Sequence, residues 1–170
     1  MPRLTRVERY AFLDERRVIM RIALTRADGG PFVTPLWFLC QDSAIHFTPR
    51  ERSEWFSMLR HDPRVALCID EQPLPYRKMV IEGRAELLHD LGEEDRWRDL
   101  YLRMAARYVP ARDAEAYVNN TMNERRGLFR VVLAGAKVRT WRLPIGDEPG
   151  EGIWHQRYYQ DTDIEFAGRS

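Results

Sequence analysis

The sequence predicts a mainly β fold, a small closed or split barrel of six antiparallel strands with α-helices added late in the chain. Three observations carry this expectation. Short runs of alternating apolar and polar residues recur through the first half. Turn residues separate the first three runs at hairpin spacing, leaving no room for helices between them. The long helical pattern comes only at 92–122, after five strand-like runs. A doubly wound α/β fold needs a helix between successive strands, so it does not fit.

The elements follow in order. Residues 5–15 read as a short helix, with Thr5 as cap and Glu8 as its capping-box partner. Val18, Met20, Ile22 and Leu24 alternate with Ile19, Arg21 and Ala23 as a first strand, ending at the hairpin signal Ala27-Asp28-Gly29-Gly30. The second strand spans 32–40, the turn Gln41-Asp42-Ser43 follows, and 44–48 is the third strand. A short helix begins at Arg52 or Ser53, with Ser53 as cap or first-turn residue, and stops before Pro63. Residues 65–70 form the fourth strand. Residues 78–89 form a long fifth, with Gly83 as a bulge or close backbone approach. Trp97, Leu100, Tyr101 and Met104 mark an amphipathic helix within 92–108, Pro110 ends it, and 111–122 is a second helix. The sixth strand covers 128–143.

The 170 residues suit one domain over 1–170, with the barrel at about 16–143 and an extension at 144–170 that holds an aromatic cluster, Ile153 to Tyr159. Net charge is +1, which gives no long-range attraction to nucleic acid. The cations are nearly all arginine; Lys78 and Lys137 are the lysines. Cys40 and Cys68 read as small core hydrophobes in a reducing compartment, not as a disulfide or a nucleophile. No apolar run is long enough to span a membrane, and the first residues lack the apolar core of a signal peptide. A cytoplasmic location is therefore expected.

Gly-rich dinucleotide loops, Walker phosphate loops and Gly-x-Ser-x-Gly elbows are missing. His46, His61, His89 and His155 lack metal-ligand spacing, so no metal site is expected. The acidic run Asp90, Glu93, Glu94 and Asp95 is explained by a helix start. The corner Thr48, Arg50, Arg52 and Ser53 is different. It sets two hydroxyls and two guanidinium groups at a strand-to-helix junction, where helix N–H groups add donors for a phosphate. Its plain structural reading is a solvated loop with a helix cap. In Val33-Thr34-Pro35-Leu36-Trp37 the proline interrupts a strand ladder beside an aromatic ring. Free backbone groups there could meet the polar edge of a planar ligand; the plain reading is an edge strand with a buried tryptophan.

Gly30-Pro31-x-Val33-Thr34-Pro35-Leu36-Trp37-Phe38, Ile45-His46-Phe47-Thr48, Ser53 and Leu59-Arg60-x-Asp62-Pro63-Arg64-Val65 stand in an order that resembles the pyridoxamine 5'-phosphate oxidase-like family of FMN-binding split barrels. Val80 to Leu87 and Arg130 to Trp141 resemble its later strands, so the likeness covers roughly 16–143. The resemblance implies a six-stranded split barrel, a homodimer, and FMN held in clefts between subunits. It implies a phosphate near Thr48, Arg50, Arg52 and Ser53, and a flavin ring against Thr34, Pro35, Leu36 and Trp37. The family usually carries Ser-x-Lys at the corner, whereas this chain has Ser53-Glu54-Trp55. Either Arg50 or Arg52 supplies the missing cation, or the site is weakened, binds a different molecule or is empty. Trp55 either stacks on a ring or fills core or interface. The activity implied is a flavin-dependent oxidation or reduction of a small molecule. A deazaflavin reductase using coenzyme F-420, or a non-catalytic flavin- or haem-binding protein, shares the expected fold. No catalytic acid or base is assigned, although Tyr76, Arg77 and His155 could approach a cleft.

Overall fold

A computed structural model describes residues 2–148; the aromatic cluster at 153–159 and His155 lie outside the described residues. Helix α1 (Arg6–Asp14) opens the chain and carries the expected capping box between Thr5 and Glu8. Strands β1 (Met20–Thr25) and β2 (Pro31–Leu36) form the first hairpin. The Gly29 φ of 85° and an Asp28 carboxylate accepting from Gly30 N–H at 2.8 Å shape its turn. Strands β3 (Leu39–Gln41) and β4 (Ala44–Phe47) make the second hairpin. Asp42 and Ser43 both have positive φ there, the pattern of a type I′ turn.

The rest is helix α2 (Glu54–His61), strands β5 (Arg64–Asp70), β6 (Lys78–Arg84) and β7 (Glu86–His89), a 3-10 turn at Glu94–Trp97, helices α3 (Arg98–Ala106) and α4 (Ala111–Asn120), and strands β8 (Leu128–Val132) and β9 (Lys137–Trp141). The six expected strands are all present, but three of them bend. Residues 32–40 divide into β2 and β3, 78–89 into β6 and β7, and 128–143 into β8 and β9. Each bent strand leaves one sheet and enters the other, giving a five-stranded antiparallel sheet in the order β2-β1-β5-β6-β9 and a four-stranded one in the order β3-β4-β8-β7. Twisted strands turn the corners of a split barrel in this way.

Packing explains where they bend. An added Cβ at Gly83 would lie 2.9 Å from a Val131 methyl, so β6 passes close to β8 just before its break at Ala85. The β5–β6 register runs unbroken through Gly83, which settles the alternative in favour of close approach; the register shift lies between Leu87 and His89. Met20, Ile22, Leu67, Ile69, Met79 and Ile81 from the large sheet meet Ile45, Phe47, Phe129 and Val131 from the small one. Phe47 and Phe129 stack with centroids 6.1 Å apart, and Phe56 of α2 meets Phe129 edge-on at 6.0 Å. Burying each such side chain stabilises the fold by about 1.5–3 kcal/mol. A second cluster is separate: Trp97, Tyr101, Ala105, Ala114 and Val118 pack together on Leu128. Among the described residues no helix is long and apolar enough to cross a membrane.

Tyr108, just beyond α3, joins the two parts. Its hydroxyl accepts from Phe38 N–H at 3.1 Å and donates to Val18 C=O at 3.0 Å. Its ring stacks on Trp37 at 5.0 Å, nearly parallel. Both thiols are free and half-buried, less enclosed than the sequence reading implied, and burial pushes each above its ordinary value.

All four residues of β4 are buried, including His46. Burial holds the His46 imidazole below its ordinary value, an effect larger than the opposing backbone hydrogen bonds at Leu39 and Ala44; Arg130 adds to it and Asp42 opposes it. The folded chain thus binds this proton less readily than the unfolded chain does. Below an ordinary imidazole value of about 6.5 the unfolded state holds more protons, and stability is lost as pH falls through that window. Urea melts at pH 7 and pH 5 should show a smaller acid-induced loss for His46→Gln than for the wild type; equal losses would remove His46 from the account.

Candidate functional site

The corner after β4 is tied down mainly by backbone. Arg50 and Arg126 form an isolated antiparallel bridge, Glu51 N–H donates to Arg125 C=O at 2.9 Å, and Gly127 N–H donates to Pro49 C=O at 3.2 Å. The segment before β8 is therefore laid against the strand-to-helix junction. Ser53 takes the cap position of α2, but its hydroxyl donates to Arg50 C=O at 2.6 Å and caps no helix N–H. The first-turn N–H groups of α2 are left without a side-chain cap, which suits an anion.

A cavity of about 360 Å³ opens at this corner. It is lined by Pro35, Leu36 and Trp37 from the end of β2, by Thr48, Arg50 and Ser53 from the corner, and by Trp55 of α2. These are seven of the nine site residues expected from sequence. The other two stand apart. Thr34 lies on β2 without lining the cavity, and its hydroxyl makes only a long 3.5 Å contact to Pro35 C=O. Arg52 is exposed between two lining residues and forms no ion pair with any described residue. Trp55 is a wall rather than a plug: it stacks on Phe47 at 6.1 Å and leaves the volume open. Trp37 does not present a bare face, because Tyr108 stacks on it and Tyr117 leans against it at 5.0 Å.

The remaining wall was not foreseen. Tyr101 and Met104 of α3, Tyr117 of α4 and Arg126 complete the lining. Tyr101 and Met104 show in the sequence as one face of an amphipathic helix, but nothing there says which surface that face meets. Arg126 is the main addition. Its side chain is 7% exposed, its guanidinium lies 5.0 Å over the Tyr101 ring, and its backbone N–H donates to Glu94 at 2.9 Å. One Glu124 oxygen, Oε2, lies 2.9 Å from Arg126 Nη2 and 2.6 Å from Arg50 Nε. Arg126 Nε and Thr48 Oγ1 are buried without a hydrogen-bond partner. Unmet buried donors cost about 1–3 kcal/mol each, so a further acceptor that reached this pair would be stabilising.

Candidate acids and bases are few. Arg77 is held by Glu71, with contacts at 2.6 Å, and lies over Phe12; neither it nor Tyr76 lines the cavity. Burial pushes the Tyr101 phenol above its ordinary value, so Tyr101 is a poor base. The arrangement can bind and orient: the lining combines guanidinium and hydroxyl groups with aromatic and apolar ones.

A family model described as pyridoxamine 5'-phosphate oxidase matches residues 8–142. No curated protein matches the chain. Among solved structures, a conserved hypothetical protein from Mycobacterium tuberculosis is similar at 23% identity and a TM-score of 0.63, over 87% of this chain and 94% of that one. A FAD-binding protein from Mesorhizobium loti is similar at 22% identity and 0.57, over 82% and 95%. An F420 reductase is similar at 24% identity and 0.53, over 74% and 93%. At these identities the likeness is one of fold.

Gly127 holds the corner in place. An added Cβ there would lie 2.8 Å from the Phe56 ring and 3.1 Å from the Phe129 ring, both in the main core. Gly127→Ala should lower Tm by about 3–8 °C in a thermal melt, the cost of overpacking at a site with little give. An unchanged Tm would mean that the two rings can shift freely.

Proposed function

The chain belongs to the pyridoxamine 5'-phosphate oxidase family, and from that premise we propose that it is a flavin-dependent oxidoreductase that binds FMN in the corner cavity and acts on a small molecule. One observation carries the reading: Thr48 and Arg126, each with a buried and unpartnered polar atom, line one cavity together with Leu36, Trp37, Trp55, Tyr101, Met104 and Tyr117. The residues fit the group. Hydroxyl and guanidinium donors match a phosphate monoester, and the aromatic wall matches a planar ring. The volume lies within the range of small-molecule sites, about 300–1,000 Å³.

FMN bound here would supply hydride exchange, and the protein would supply position and electrostatics. Arg50 and Arg126 would hold the phosphate, with the Thr48 hydroxyl and the uncapped N–H groups of α2 as further donors; the Ser53 hydroxyl already donates to Arg50 C=O. Arg126 takes the part of the cation that the family's lysine plays and Trp55 cannot. Arg52, exposed between lining residues, attracts anions without gripping them. At the end of β2, an edge strand in this chain, Pro35 offers no N–H, so the ring edge would meet carbonyls and the free groups of neighbouring residues.

A homodimer belongs to the same reading. On the outer face of the large sheet Val33, Ala23 and Ala66 lie side by side across β2, β1 and β5, and Cys68 and Val80 across β5 and β6. Val33 is 65% exposed. This small-residue apolar row, flanked by the pairs Arg21–Asp70 and Arg139–Glu82, suits a second copy that closes the open side of the cavity. The free thiols suit the cytoplasm. The F420 reductase of the same fold supports a second reading, a deazaflavin reductase.

Natively purified protein should sediment as a dimer, absorb as a flavin and release FMN mass on denaturation. A colourless protein that binds the deazaflavin coenzyme instead would favour the second reading. Binding of either cofactor with no turnover of any acceptor would favour a carrier. No binding of either would end both. In fluorescence titrations with FMN, Arg126→Gln should weaken binding about tenfold or more, and Arg52→Gln less than about threefold. The reverse order would move the phosphate out to the exposed turn.

A further inference from the structure

We infer that Glu124 is a resident counter-anion, holding the place of the ligand's phosphate between Arg50 and Arg126 until the ligand displaces it. This rests on the reading of the cavity as a phosphate site. Both ion pairs use the same oxygen: Glu124 Oε2 lies 2.6 Å from Arg50 Nε and 2.9 Å from Arg126 Nη2. Arg126 is nearly buried and needs a partner at all times, since a buried guanidinium without one costs several kcal/mol. Glu124 is 40% exposed and sits in a turn, where its N–H donates to Thr121 C=O at 3.1 Å. Its side chain has solvent to swing into, whereas that of Arg126 has not.

The donor count gives the second argument. Four donors converge on the corner: Arg50 Nε, Arg126 Nη2, Arg126 Nε and the Thr48 hydroxyl. The Glu124 carboxylate accepts a hydrogen bond from Arg126 Nη2, pairs with Arg50 as an ion, and leaves the last two bare. A phosphate monoester brings three terminal oxygens and up to two negative charges, so it offers more acceptors and more charge than the carboxylate does. The carboxylate is thus an incomplete occupant. It keeps the guanidinium groups paired in the free protein and yields to a group with more acceptors. Displacing it subtracts from the affinity, so the phosphate half of the ligand binds more weakly than the donors alone would allow.

The test uses FMN and its dephosphorylated form, riboflavin, with the wild type, Glu124→Gln and Glu124→Asp. Affinities come from flavin fluorescence, and the Tm of ligand-free protein is read alongside. Glu124→Gln should bind FMN about tenfold tighter than wild type, bind riboflavin equally well, and melt lower without ligand because Arg126 has lost its partner. Glu124→Asp, which keeps the charge, should stay close to wild type. A lower Tm with unchanged or weaker FMN binding makes Glu124 a structural partner only and overturns the inference. Wild-type binding of riboflavin as tight as that of FMN also overturns it while leaving flavin binding intact. If neither wild type nor Glu124→Gln binds FMN or inorganic phosphate, the phosphate reading of the cavity falls, and this inference falls with it.

Discussion

The bend at Trp37-Phe38 is the constraint on which the rest of the molecule depends. There the second strand leaves the five-stranded sheet and enters the four-stranded one, and Tyr108 holds the passage through both backbone and ring. Its hydroxyl bridges Phe38 N–H and Val18 C=O, two groups that sheet pairing leaves available where a strand ends. Arg107 reinforces the same point, lying 4.7 Å over Phe38 and donating to Glu15 C=O at 2.7 Å. Without that tie, β2 and β3 would have no reason to part at this residue, and the end of β2 would not reach the corner after β4.

From that bend the cavity follows almost as a by-product. Its polar floor belongs to the barrel, through the backbone bridge between Arg50 and Arg126 and through Gly127, which lets the chain pass beneath Phe56 and Phe129. Its far wall belongs to the helical cluster of α3 and α4. The site is a seam between two hydrophobic clusters. That accounts for buried polar groups that neither cluster satisfies, since a seam gathers donors from both sides and packs fully against neither.

Much of this was readable from the residues. The Thr5–Glu8 capping box, the Asp28-Gly29 hairpin and the Asp42-Ser43 turn are short-range features, and local chemistry decides them. The corner residues and the end of β2 do meet, as their order in the chain implied. The three strand bends were not readable, because apolar alternation continues through a corner and a one-dimensional pattern carries no direction. Arg126 and Glu124 were hidden for another reason. In a chain whose cations are nearly all arginine, one more guanidinium has no contrast, and long-range backbone pairing to Pro49, Arg50 and Glu51 brings it near the corner. Thr34 and Arg52 do not line the cavity, because neighbours in sequence need not share a surface.

The division of the walls has a consequence for how such a protein can change. The helical cluster meets the barrel through Leu128, Leu88 and Trp37, and Tyr108 and Arg107 beyond α3 reach across to Phe38. A substitution at Tyr117 alters the shape and polarity of one side of the hollow, while the main core, to which it does not belong, keeps its packing. The barrel secures the architecture, and the helical segment is at liberty to vary what the hollow accommodates. New preferences can therefore accumulate step by step on an unaltered frame.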